Sequence, residues 1–339
     1  MFGLRGLRMR ARLRSLAWFL LAILYYFFVV HVASRPAFGI NPDFWSAFVT
    51  RPFLLLLLIV GYAAMGRIGQ KQRTPVKLMG LNLRSGWRHE FAIGAAFGWS
   101  GVVLCVLPIA LAGGLVVTFY TTWHQFALIL WSVAALALSS LAGEVVFRGY
   151  PFQRLIDATG PATATLVLSI FYGFTSFNLP GASGGAMLFT FFFGCFCAVA
   201  YLRTRALWVG WGFHFIWTLS MGVLFGLPVS GNTSFSPVIA SNTIGPDWFT
   251  GGDYGPEGSV VCIVVLLVLL IFLISATKDL RHRYAQPVII PGGIPVDVDA
   301  IARRQHDAAM GPAASEPSAP KLVQIAPVAP PAGNDPLER

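Results

Sequence analysis

The feature that most constrains this chain is a series of long apolar segments, separated from one another by short polar or basic stretches. A run of about 18 or more apolar residues is long enough to cross the hydrocarbon core of a bilayer as a helix. Only 11% of the residues are charged, against about 25% in soluble domains. The chain therefore lacks the polar surface of a soluble fold, and we predict an all-α, polytopic helical membrane protein.

Eight membrane spans, and hence about eight transmembrane helices, are predicted along the chain. The second of them is short, and the fourth is expected to continue as helix past Arg154. The eight spans cover roughly residues 15–33, 52–66, 90–112, 124–142, 162–178, 185–202, 206–226 and 259–277.

The basic residues follow the order of these spans. Five arginines precede the first span, and six Lys or Arg residues lie within 67–89, whereas the loops 113–123, 179–184 and 227–258 have none. Because Lys and Arg concentrate in cytoplasmic loops, we predict that both termini are cytoplasmic. This topology also accounts for the net charge of +10, so the lipid bilayer is an expected partner and nucleic acid is not.

Few ionisable residues fall near membrane depth, where each is costly unless paired or hydrated. Glu144 and Arg148 are four residues apart, which places them on one helical face. This spacing favours a structural ion pair. The functional alternative is that Glu144 faces a hydrated cavity and Arg148 orients it.

Three further polar residues are candidates for chemistry. His214 lies among aromatic residues, a setting more typical of a hydrogen-bonded core histidine than of a catalyst. Thr218 follows one turn later on the same face, so its hydroxyl and the imidazole can converge. Ser176 precedes the turn at Pro180 and Gly181, and it has no local signature of an activated nucleophile.

The order of these residues resembles the motifs of the CPBP family of intramembrane proteases. The motifs are Glu144-x3-Arg148-Gly149-Tyr150, then Ser176 before Pro180-Gly181-Ala182-Ser183, then His214-Phe215-x-Trp217. The family comprises CAAX prenyl proteases and bacteriocin-processing or immunity (Abi-like) proteins. The resemblance implies a CAAX-protease-like helical bundle in a membrane, here a bacterial inner (plasma) membrane, with prenylated or transmembrane proteins as clients.

This resemblance covers about residues 125–275 and divides the chain into three parts. Residues 1–124 form N-terminal transmembrane helices with basic cytoplasmic loops, and 125–275 form the CAAX-protease-like core. The segment 285–339 holds 10 of the 22 prolines. It cannot bury a core, so we predict a disordered cytoplasmic tail.

Three motif positions depart from the family. The first of two successive glutamates is Gly143, the first histidine is Ser176, and the asparagine of the last motif is Thr218. In the family, the first glutamate activates a water beside the first histidine, and the second histidine and the asparagine hold the oxyanion. Neither glycine nor serine can act as a general base near neutral pH, and loss of such a group typically costs about 10²–10⁴ in rate.

The remaining candidate catalytic residues are Glu144, Arg148 and His214. The first hypothesis is a weak or inactive intramembrane peptidase that binds membrane or lipidated clients. The alternative is an active endopeptidase with Glu144 as base and His214 as acid or oxyanion donor. Successive helical residues are rotated by about 100°, so Glu144 is expected to point away from the site unless Gly143 lets the helix unwind. A transporter is a remote third possibility.

No cofactor is expected. The family is often classed among the metalloproteases, so a metal has to be considered. A catalytic zinc site normally needs three protein ligands, and this motif set retains one Glu and one His. The sequence therefore does not support a zinc site.

Overall fold

The computed structural model describes residues 2–33, 43–119, 123–233, 237–277, 288–289 and 295–296. The chain divides into two units, Met1–His282 and Arg283–Arg339. In the second unit the structure describes a short antiparallel pair, β3 (Val288–Ile289) with β4 (Pro295–Val296). The rest of the predicted tail lies outside the described residues.

The first unit is built almost entirely from helices, and each of the eight predicted spans coincides with one of them. Its helices in chain order are α1 (Phe2–Ala33), α2 (Asp43–Gln70), α3 (Pro75–Leu78), α4 (Trp87–Leu111), α5 (Trp123–Arg148), α6 (Tyr150–Thr159), α7 (Pro161–Phe174), α8 (Gly184–Thr204), α9 (Trp208–Leu219), α10 (Asp247–Thr250) and α11 (Val260–Ala276).

The helix lengths confirm the all-α membrane class. Within the described residues, five helical stretches are long and apolar enough to cross a membrane: α1, α2, α4, α8, and α5 taken together with α6. Helices α7, α9 and α11 have only 14, 12 and 17 residues. A 3-10 helix at Thr175–Asn178 extends α7, and a π-helical turn at Ser220–Leu224 extends α9. The number of full crossings stays a prediction.

Two expectations about the helices are corrected. The second span is not short, because α2 runs from Asp43 to Gln70 and includes Pro52. Hydropathy had marked only its apolar centre. The fourth span is helical past Arg154, but in two pieces, since Gly149 leaves helical geometry at φ −77° and ψ −132°. A Cβ at Gly149 would lie 2.3 Å from the Val145 carbonyl oxygen, so only glycine fits this bend.

A small sheet outside the long helices was not predicted. Strand β1 (Leu115–Phe119) follows α4, and β2 (Ile239–Thr243) lies in the long connection before α11. The strands pair antiparallel, with Leu115 opposite Thr243. The sheet thus joins two connections that are distant in sequence.

Glycines bring α4 and α9 into direct backbone contact. A Cβ at Gly94 would lie 2.0 Å from the Val209 carbonyl oxygen, and one at Gly98 would lie 2.6 Å from that of Phe213. The contact is reciprocal, because a Cβ at Gly212 would lie 2.2 Å from the carbonyl oxygen of Phe91. Small residues four apart allow such close approach between membrane helices. These glycines let α9, the helix that carries His214, pack directly against α4.

We expect Gly94→Ala to destabilise the bundle by about 1–3 kcal/mol, because overpacking forces the two helices apart. Gly184→Ala is the matched control, since no atom lies within 4 Å of its Cβ position. The measurement is thermal unfolding of both variants in detergent. Equal midpoints for Gly94→Ala and Gly184→Ala would contradict the close contact.

A buried glutamate in the connection before α11 joins several segments. Glu257 accepts hydrogen bonds from Trp217 Nε1 at 2.9 Å, from the Ser230 amide at 2.7 Å and from Ser230 Oγ at 2.9 Å. Ser230 has a left-handed backbone, with φ +50°, which is uncommon for a residue other than glycine. Burial raises the pKa of Glu257, whereas the bonds from Ser230 and Trp217 act in the opposite direction.

Glu257→Ala should cost about 2–4 kcal/mol of unfolding free energy, because it leaves the buried donors of Trp217 and Ser230 without an acceptor. Glu257→Gln, which keeps one acceptor oxygen, should lose less. Asp253→Ala changes an exposed carboxylate in the same connection and serves as the control. Denaturant unfolding followed by circular dichroism measures the three variants. A Glu257→Ala variant as stable as Asp253→Ala would show that Glu257 does not hold this region.

Candidate functional site

Three segments supply the motif residues, and a fourth packs beside them. Helix α5 carries Gly143, Glu144 and Arg148 near its C-terminal end, and α9 carries His214 and Thr218. Ser176 lies in the 3-10 helix that follows α7, and α8 runs beside both α5 and α9. The site is therefore formed where α5, α8 and α9 pack together.

Glu144 is the centre of the site. It is fully buried, at 0% exposure, and its Oε1 atom lies 3.1 Å from His214 Nδ1 and 3.4 Å from an Arg148 guanidinium nitrogen. A carboxylate beside Nδ1 favours the imidazole tautomer with its proton on that nitrogen. The other ring nitrogen, Nε2, is then left as the basic atom of His214.

Arg148 is held on more than one side. One of its terminal nitrogens donates to the Gly194 carbonyl oxygen on α8 at 3.0 Å. The guanidinium also lies over two aromatic rings, 5.0 Å from the centroid of Tyr172 and 5.6 Å from that of Phe147. Such cation–π contacts strengthen when they are removed from water. Arg148 is thus fixed as the partner of Glu144, which confirms that the four-residue spacing forms an ion pair.

Gly210 makes room for the second carboxylate oxygen. A Cβ at this position would lie 2.8 Å from Glu144 Oε2. The Cys197 side chain lies next to the same carboxylate. Among the described residues, no nitrogen or oxygen donor reaches Oε2. Sequence reasoning missed Gly210 and Cys197. The only available signal was the position of Gly210 one turn before His214.

The expectation that Glu144 points away from the site is wrong. Helix α5 continues regularly to Arg148, with no unwinding at Gly143. The imidazole of His214 nevertheless adjoins both positions, since a Cβ at Gly143 would lie 3.4 Å from His214 Cε1. A ring that packs across one turn of α5 can contact two successive residues, so the rotation of about 100° between them does not separate Glu144 from His214.

The hydroxyls at the two other substituted positions bond to the backbone. Ser176 Oγ donates to the Gly173 carbonyl oxygen at 2.7 Å. Thr218 Oγ1 donates to the carbonyl oxygen of His214 at 2.6 Å, not to its ring. In the described part of the chain, neither hydroxyl has a hydrogen bond to Glu144 or to the imidazole. Both side chains therefore use their donors within their own helical segments.

The donor set does not fit a catalytic metal. Across the residues that the structure describes, no group of three or more His, Cys, Asp and Glu side chains could hold an ion. Glu144 and His214 together supply two ligands, one short of the usual three.

The fold and the site define a class, a helical membrane protein with a buried Glu–Arg pair on one helix and a histidine from a second helix beside it. Residues 124–220 match the family model Rce1-like, described as type II CAAX prenyl endopeptidase Rce1-like. This match spans α5 to α9 and includes every motif position discussed above. Residues 124–220 are therefore similar to this CAAX-protease family, in agreement with the resemblance of the motifs. No curated protein and no solved structure matches the chain significantly.

Arg148→Met should cost about 3–5 kcal/mol of stability, because it leaves Glu144 buried and without its cationic partner. The double variant Glu144→Gln/Arg148→Met should recover most of this loss, since it removes the buried charge as well. Unfolding midpoints of the two single variants and the double variant form the cycle that measures the coupling. The control is Asp157→Ala, whose carboxylate pairs with Arg154 but is half exposed, and it should cost about 1 kcal/mol or less. Additive single effects would contradict a coupled buried pair.

Proposed function

We propose that this chain is a CAAX-protease-like membrane protein that binds membrane or lipidated protein clients and cleaves them weakly or not at all. The proposal includes a location in a bacterial inner membrane with both termini in the cytoplasm, as the basic loops predict. The observation that carries it is the state of Glu144. This motif glutamate is completely buried and already bound to Arg148 and His214.

A general base must come within hydrogen-bonding reach of the water whose proton it takes. Glu144 has almost no exposed surface, and Gly143 has no side chain to replace the glutamate that the family places there. Ser176 is also buried, and its hydroxyl donates to the backbone. The groups that would activate a water are therefore absent or enclosed, while the scaffold around them is kept.

A second candidate function, an active endopeptidase, is favoured by the contact between Glu144 and His214. The His214 side chain retains 19% exposure, against 1% for that of Glu144. If the site cleaves peptides, His214 is therefore the side chain that meets the water, and Glu144 orients the ring through Nδ1. This reverses the roles of base and acid expected from the sequence. It keeps the same pair of residues.

The two candidates are separated by a cleavage assay in reconstituted lipid. The native chain, Glu144→Gln and His214→Ala are each incubated with a pool of prenylated and transmembrane peptides, and products are read by mass spectrometry. We expect the native chain to release no more cleavage product than the His214→Ala variant does. Native cleavage that falls about 10²-fold or more in His214→Ala would overturn the first proposal in favour of the second.

Restoring the family residues tests whether the scaffold still receives a substrate. The Cβ position at Gly143 makes only ordinary contact with His214, so Gly143→Glu should fit. Ser176 is 1% exposed, so Ser176→His displaces neighbours. The double variant Gly143→Glu/Thr218→Asn is therefore tested beside the triple variant that adds Ser176→His.

We expect at least one of these restored variants to cleave peptides that the native chain leaves intact. Each variant is first shown to be monodisperse and to unfold cooperatively. Client binding is measured separately, by photocrosslinking of prenylated peptides to the native chain and to Glu144→Gln, and should be equal in both. Absence of crosslinking in folded native protein would contradict a client-binding role.

A further inference from the structure

The connection between α2 and α4 has an extreme charge composition. Residues 71–86, between the end of α2 and the start of α4, contain four Lys or Arg residues and no Asp or Glu. The segment follows one membrane-spanning helix, includes the short helix α3, and leads into another spanning helix. Basic clusters next to a membrane span attract the headgroups of acidic lipids.

This connection is held in a defined position. The Gly80 carbonyl oxygen accepts from the Leu207 amide at 3.0 Å, and the Asn82 carbonyl oxygen accepts from Trp208 Nε1 at 2.8 Å. Both donors belong to the turn between α8 and α9 or to the first residue of α9. The side chain of Gln153 also donates to the Leu78 carbonyl oxygen. The backbone of the segment is thus attached to the core that carries His214.

The basic side chains of the segment fall into two groups. Arg84 pairs with Glu90 and donates to the Thr204 carbonyl oxygen, so its charge is already used. Lys71, Arg73 and Lys77 are exposed. Within the described residues, none of these three pairs with a carboxylate. Their charges therefore face outward from an anchored backbone without an anionic partner from this part of the protein.

Apolar side chains lie among these cations. Val76, Leu78 and Leu83 are 37%, 49% and 68% exposed. Long basic side chains mixed with exposed aliphatic ones are typical of segments that lie in the bilayer interface. In such segments, aliphatic groups enter the boundary of the acyl chains and the extended basic side chains reach the phosphates.

We propose that Lys71, Arg73 and Lys77 form a binding surface for the headgroups of acidic phospholipids. The occupant is the lipid of the adjacent leaflet, because the surface combines unpaired cations with exposed aliphatic side chains and joins two membrane spans. Its anchoring to the turn before α9 means that bound lipid stabilises the core as well as the loop. The proposal is independent of any peptidase activity.

Native mass spectrometry of the full-length protein tests this surface in mixed micelles of phosphatidylglycerol and phosphatidylcholine. The native chain should retain phosphatidylglycerol in preference to phosphatidylcholine. Lys71→Gln/Arg73→Gln/Lys77→Gln should lower that retention about tenfold or more, given the usual gain per basic residue near an acidic surface. The conservative variant Lys71→Arg/Lys77→Arg should retain the lipid as the native chain does.

The matched control is Arg10→Gln/Arg12→Gln/Arg14→Gln, which removes the same charge from exposed positions of α1. It should keep phosphatidylglycerol retention within about twofold of native. Added phosphatidylglycerol should also raise the unfolding temperature of the native chain and of this control. It should not raise that of Lys71→Gln/Arg73→Gln/Lys77→Gln, the loop variant. Equal loss of lipid in the control and the loop variant would show attraction to net charge alone and overturn the proposal. Unchanged retention in the loop variant would overturn it too.

Discussion

A fully buried carboxylate inside a membrane protein must find a cation and hydrogen-bond donors within the protein, because lipid supplies neither. Glu144 meets this requirement with Arg148 from its own helix and His214 from α9. Arg148 in turn donates a hydrogen bond to the Gly194 carbonyl oxygen of α8. One buried charge therefore links three helices, and the geometry of the site follows from how that charge is matched.

The position of His214 is also determined by contacts that involve no charge. Gly94 and Gly98 let α4 touch the backbone of α9, and Gly210 leaves space for the carboxylate that His214 contacts. At the far end of α9, Trp217 donates to Glu257 in the connection before α11. The helix is thus held along its length. An imidazole held in this way can keep its contact with Glu144 without help from a substrate.

The same enclosure that stabilises Glu144 separates it from water. Where the family that this chain resembles places a water-activating glutamate and its histidine, the chain carries Gly143 and Ser176, and Glu144 is paired with Arg148. On the proposal of client binding, the ion pair that organises the core is kept while the catalytic groups of the resembling family are replaced. This is the physical basis for proposing client binding in place of efficient cleavage.

The sequence by itself determined the membrane class, the position of each long helix and the set of candidate residues. Those properties follow from local patterns, such as apolar length, the placement of Lys and Arg, and the spacing of Glu144 and Arg148 within one helix. The break at Gly149 and the full extent of α2 were not recognised, because both depend on backbone geometry beyond the apolar centre of a span. Only the tertiary structure decided that Glu144 contacts His214, that the Ser176 and Thr218 hydroxyls bond to the backbone, and that Glu257 holds Trp217. The pairs Glu144–His214 and Trp217–Glu257 join residues that are 70 and 40 positions apart. Such pairs are brought together by helix packing, which local sequence patterns do not reveal.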